Sequence, residues 1–302
     1  MSVGSSDGSW LMNGKKPNTA TAPGLVSTTL TWETIESYNV GLDWGLFNNR
    51  LTGSFDYYIR NTKDMVGNAP ELPAILGTAA PVTNNTDLRT SGRELSTGWN
   101  DRLDNGLNYS ANFNISDART QIPRYPNNPT NAISTYIEGR YINEIWGYET
   151  VGLAKTDEEM QAHLATLPSG GQDALGSDWR AGDIMYADLN GDGKISGGAG
   201  TLNDHGDMKV IGNHTPRYLF GLDLNASWKG FDVRVFFQGV MKRDYWQGST
   251  YLFGAASNWQ WWATGLSQVH DYIREENTWS VQNGDQSVNT DSYLPRPLYS
   301  DK

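Results

Sequence analysis

Residues 34–60 read TIESYNVGLDWGLF, then Asn48-Asn49, then RLTGSFDYYIR. On the first arm Tyr38, Val40, Leu42, Trp44 and Leu46 alternate with Asn39, Gly41, Asp43 and Gly45. On the second, Leu51, Gly53, Phe55, Tyr57 and Ile59 alternate with Thr52, Ser54, Asp56 and Tyr58. A period of two gives each strand one apolar and one polar face. Asn tolerates positive φ, so Asn48-Asn49 suits a tight hairpin turn. Each arm has about the 9–11 residues that a tilted strand needs to cross a bilayer. Tyr and Trp on the apolar face favour membrane interfaces. A hairpin of a soluble β-sandwich alternates in the same way, so this stretch alone leaves both architectures open.

Two further hairpins repeat the pattern. Leu95, Thr97 and Trp99 lead to the turn Leu103-Asp104-Asn105-Gly106, and Leu107, Tyr109, Ala111, Phe113 and Ile115 return. Asn-Gly is a strong short-hairpin signal. Phe220, Leu222, Leu224, Ala226 and Trp228 lead to Lys229-Gly230, and Phe231, Val233, Val235 and Phe237 return. The connections between hairpins, 61–86 and 119–215, are long, so every short turn falls at one end and every long connection at the other. Outer-membrane barrels have this layout, whereas a sandwich would have shorter loops at both ends. Asp43, Asp56, Asp223, Asp232 and Arg234 then face a wet interior. Six strands cannot close a water-filled barrel, and open edges are not tolerated in lipid, so the strands are expected to be part of a larger one.

The expected organisation is an irregular lead-in over 1–33, two transmembrane hairpins over 34–118 and a long loop region over 119–215. A third hairpin over 216–239 and a further loop over 240–302 complete it. The loop region contains a short hairpin near 142–153 and a helix whose capping box is Thr156 with Glu159. Met160, Leu164 and Leu167 line one helix face, and Pro168 with Gly170-Gly171 ends it.

Composition narrows the function. The 302 residues contain no cysteine, which removes disulfides and thiolate metal sites. A net charge of -11 argues against a nucleic-acid partner. Mean hydropathy is -0.57 and there is no long apolar run, so no transmembrane helix is expected. The first residues, MSVGSSDG, have neither the basic region nor the apolar core of a signal peptide, so a targeting segment is expected elsewhere than on this chain. There is no P-loop or G-x-G-x-x-G, and His163, His205, His214 and His270 lack metal-pair spacing, so no enzyme is expected.

One stretch carries site chemistry. Residues 188–195, DLNGDGKI, fit D-x-N-x-D-G-x-I. Asp188, Asn190 and Asp192 direct oxygens at one point, Gly193 permits the sharp turn, and the Lys194 carbonyl is a further oxygen. Ca²⁺ is the expected ion. A bidentate Glu would occupy the twelfth position, where Ala199 stands, so Asp204 or Asp207 must close the shell. The alternative is an Asp/Asn/Gly-rich turn that holds no metal. Trp259, Trp261 and Trp262, with Tyr251, Phe253 and Trp246, could stack on sugar rings or pack a loop against itself.

Several segments resemble SusC/RagA-type TonB-dependent outer-membrane transporters. They include Leu30-Thr31-Trp32-Glu33, residues 38–43 and 46–58, Ile145-Trp146-Gly147-Tyr148 and residues 182–193. Ile211-Gly212-Asn213, Thr215-Pro216-Arg217-Tyr218, Gly230-Phe231-Asp232 and Phe236-Phe237-Gln238-Gly239 continue the match in order. The resemblance implies an all-β fold: an antiparallel transmembrane β-barrel segment, about six long strands of a barrel of about 22. It also implies an outer-membrane location, import of oligosaccharides or peptides driven through TonB, and a SusD-like surface lipoprotein as partner. Three departures accompany it. The plug and TonB box, through which TonB would act, are not in these residues. The last barrel strands are expected after Tyr299. Residues 196–200 look like an insertion. The competing reading is a secreted, calcium-stiffened carbohydrate-binding β-sandwich.

Overall fold

The computed structural model describes residues 4–21, 25, 27–69, 80–248, 271–274, 279–284 and 288–296. Its framework is one six-stranded antiparallel sheet built from β3 (Thr34–Leu46), β4 (Leu51–Asn68), β5 (Val82–Arg102), β6 (Asn108–Arg124), β11 (Arg217–Trp228) and β12 (Phe231–Lys242). The order is β12-β11-β6-β5-β4-β3, so each strand lies beside its sequence neighbour in the sheet and the outer edges of β3 and β12 are unpaired among the described residues.

Register carries the alternation across all six strands. Leu42 lies opposite Phe55, Phe55 opposite Leu95, Leu95 opposite Ile115 and Ile115 opposite Phe220. One row along, Thr97, Phe113, Leu222 and Phe237 align. The opposite face carries Asp43, Ser54, Ser96, Asn114, Gly221 and Gln238 in a single row. Tyr38, Leu42, Phe55 and Phe237 are between 41% and 64% exposed, so the apolar face is not the interior of a two-layer sandwich. The sheet is instead a length of wall with a dry side and a wet side, as an all-β, partial-barrel fold requires.

Turn chemistry sets the short ends. Phe47, Asn48 and Asn49 all have positive φ. The two asparagines accept this readily, while the Phe47 ring packs 6.2 Å from that of Trp99. Lys229 (φ 48°) and Gly230 (φ 85°) form a two-residue turn with both central residues left-handed, the conformation that matches strand twist. At 103–106 only Gly106 is left-handed, and the Gly106 and Leu103 amides donate to the Leu103 and Leu107 carbonyls. That is a type I turn with a glycine bulge, so Asn-Gly here marks the hairpin without forming the mirror-image turn. Trp44 covers Gly53, where a Cβ would lie 2.2 Å from the ring, and Tyr58 covers Gly92.

The strands are longer than the alternation predicts. β4 continues to Asn68 and β5 starts at Val82, so the connection expected over 61–86 shrinks to 69–81. The period is hidden there because the register shifts on either side of Met65 and Asp64 takes φ +56°. The lead-in is also not wholly irregular. β1 (Gly4–Asp7) pairs with β2 (Asn18–Thr21), closed at its tip by Asn13-Gly14 with φ of 52° and 75°.

Residues Asn143–His214 and Asp244–Lys302 form a second unit. The hairpin expected near 142–153 re-pairs: β7 (Glu144–Tyr148) joins β10 (Met208–Asn213), and β8 (Thr150–Leu153) joins β9 (Ile184–Tyr186). Glu149 separates the two strands without a turn, so each needs a distant partner. Helix α1 (Asp157–Ala165) is capped by Thr156, whose hydroxyl accepts from the Glu159 amide. The Glu159 carboxylate accepts from the Lys155 amide, one residue before the cap. Met160 is fully buried with Ala154 and Met185, and Leu164 and Trp179 pack on them.

Candidate metal loop and polar wall

The 188–195 loop is built by its own oxygens. Asp188 Oδ1 accepts from the Gly191 amide (2.6 Å) and Oδ2 from the Gly193 amide (2.9 Å). Asn190 Oδ1 accepts from the Asp192 amide and Asp192 Oδ1 from the Lys194 amide. Gly191 and Gly193 have φ of 75° and 78°, which turn the chain back on itself. The loop is anchored by the Ser169 amide on the Gly193 carbonyl and by the Ile195 amide on the Gly171 carbonyl.

Asp207, fully buried, is the acid that meets this loop. Its Oδ1 accepts from the Leu189 amide and its Oδ2 from the Ser196 amide, both at 2.8 Å. Carboxylate oxygens of Asp188, Asp192 and Asp207 lie within 4.8 Å of one another. Asp204 is directed elsewhere, with its carboxylate against Gly198. Burial pushes the Asp188 carboxyl up, but the amides of Gly193, Gly191 and Asp192 outweigh it and hold the group below its ordinary 3.8. The donor set is hard oxygen, and each bonded carboxylate oxygen keeps a second lone pair, so the residues fit a cation such as Ca²⁺. Asp188, Asp192 and Asp207 would hold it, with Asn190 and the Lys194 carbonyl completing the set. The amides also fold the loop by themselves. Trp259, Trp261 and Trp262 lie outside the described residues.

The polar wall is the other candidate surface. At its turn end, Asn100, Arg102, Asn108, Ser110, Asn225 and Arg234 help to line a recess of about 580 Å³. Arg50 pairs with Asp101 at 3.3 Å, and Arg234 reaches Asp223 at 3.1 Å. Hydroxyl, amide and charged groups converge there without a nucleophile–base pair, which suits polar contact rather than covalent chemistry.

Three buried polar clamps have no signature in the sequence. Gln172, fully buried, donates to the Ile184 carbonyl and accepts from the Tyr186 amide at 2.7 Å. Asp183, 2% exposed, takes a two-pronged bond from Arg296. Asp117 is shared by Arg217 and Arg93. Each joins residues far apart in sequence, so local pattern could not find them. The Asn13-Gly14 turn was findable from its dipeptide.

A single antiparallel wall, apolar on one side and polar on the other, with short turns at one end only, defines a piece of a membrane-type β-barrel. The chain belongs to the TonB dependent receptor-like, beta-barrel family, whose model matches residues 4–241. It is 28% identical to TonB-dependent receptor P3 of Formosa agariphila, over 92% of this chain and 26% of that protein. It is 26% identical to TonB-dependent receptor SusC of Bacteroides thetaiotaomicron, over 70% of this chain and 19% of that protein. The structure of the RagAB peptide transporter superposes with a TM-score of 0.61 at 19% identity, over 99% of this chain and 29% of that one. The chain thus spans about a quarter of the length of the relatives it matches.

Proposed function

We propose that this chain is part of the barrel of a TonB-dependent outer-membrane importer of oligosaccharides or peptides. The observation that carries the reading is the continuity of the apolar face over six strands, with acids, amides and hydroxyls opposite. Such a wall puts one side in lipid and lines an aqueous passage with the other. The work is binding and gated passage, with no bond made or broken. TonB acts through a plug outside these residues, and a SusD-like lipoprotein covers the mouth at the long-connection end. Family membership supports both partners. The 188–195 loop binds Ca²⁺ in this reading, and the ion stiffens a long connection.

Fractionation tests it. The protein is expected to sediment with outer membranes, resist high salt and carbonate, and dissolve only in detergent. Release by salt alone would contradict the reading.

A further inference from the structure

On β5 and β6 the apolar face turns basic beyond Leu95 and Ile115. Side chains alternate across a strand, so Arg93, Arg89 and Arg119 share the face of Leu95 and Ile115. Arg93 lies opposite Asp117, Ser91 opposite Arg119 and Arg89 opposite Gln121. Arg119 is therefore the diagonal neighbour of both other arginines, roughly 7–8 Å away. All three are exposed. They stand on the long-connection side of Leu95 and Ile115, with Arg93 level with Tyr57 and Arg119 level with Ile59 and Tyr38.

Their partners leave the guanidinium groups accessible. Arg89 leans on Asn61 Oδ1 at 2.9 Å, and Arg119 lies 4.5 Å over the Tyr141 ring. Arg93 reaches Asp117 at 3.3 Å, a carboxylate already gripped by Arg217 at 2.7 Å. On the next strand Lys63 pairs with Glu36 at 2.8 Å. Among the described residues, Lys63, Arg124 and Arg217 join the three arginines here against Glu36, Asp64, Asp87 and Asp117, six cations to four carboxylates, on a chain whose net charge is -11.

We propose that this belt binds the phosphate groups of anionic lipid headgroups in the leaflet on the long-connection side. The inference rests on the barrel reading above, because only a lipid-facing wall brings headgroups to this height. Arginine forks match phosphate oxygens in pairs, and basic groups at a membrane surface attract anionic lipid. The apolar band below holds the acyl chains, so one molecule satisfies both parts of the surface.

The test uses the detergent-purified protein with its whole barrel, these strands included, in neutral phosphatidylcholine nanodiscs. The probes are a diphosphorylated lipid A, the same lipid with its phosphates removed, and inorganic phosphate. Arg89→Gln/Arg93→Gln/Arg119→Gln is compared with Arg60→Gln, whose side chain projects from the polar face. The natural protein and the polar-face variant are expected to bind the phosphorylated lipid about tenfold or more tightly than the dephosphorylated one. The outward triple is expected to lose that preference, and inorganic phosphate at equal concentration should not compete. A preference retained in the outward triple, or absent from the natural protein, overturns the belt alone. Competition by inorganic phosphate overturns the lipid assignment. Failure to enter neutral nanodiscs overturns the barrel reading as well.

Discussion

At the scale of single residues, the acids of the connections do different work from those of the wall. Asp188, Asp192 and Asp207 gather oxygen ligands, and Ca²⁺ is expected to bind them. Titration calorimetry should show binding in the natural protein and its loss in Asp188→Ala and in Asp192→Ala. Unchanged binding would remove these residues as ligands. The motif made the first two acids legible in sequence, but only folding chose Asp207 over Asp204, because an eleven-residue return sets which carboxylate is buried.

At the scale of elements, turn conformation decides which substitutions the hairpins tolerate. Gly230 at φ 85° should resist Gly230→Val, which costs about 1–2 kcal/mol in the left-handed region, whereas Lys229→Asn should be neutral or better. Thermal unfolding of the two variants checks the order. Equal midpoints would show that the strands, not the turn, set hairpin stability. The three turns were legible because dipeptides such as Lys229-Gly230 interrupt a clean alternation. The outer ends of β4 and β5 were not, because the irregular register near Met65 shifts side chains to the other face and erases the period. β7 and β8 misled for a related reason: neighbouring extended segments look like a hairpin, but their partners lie many residues away.

At the scale of the whole molecule, the fold follows from one repeated choice of which side chains face lipid. The alternation is readable within each strand, and the registers of Leu42, Phe55, Leu95, Ile115 and Phe220 add the strands into one surface. Closure of the barrel is not readable from these strands, since it depends on the neighbours of β3 and β12. The absence of native cysteine allows a direct measurement, because single cysteines carry spin labels without background. Labels at positions 51–59 in bilayers should alternate. Oxygen dissolved in lipid is expected to reach the odd positions, such as Phe55 and Tyr57, and a water-soluble nickel chelate the even ones, such as Ser54 and Asp56. Equal access of the chelate to both sets, or odd positions shielded from both reagents, would contradict a lipid-facing wall.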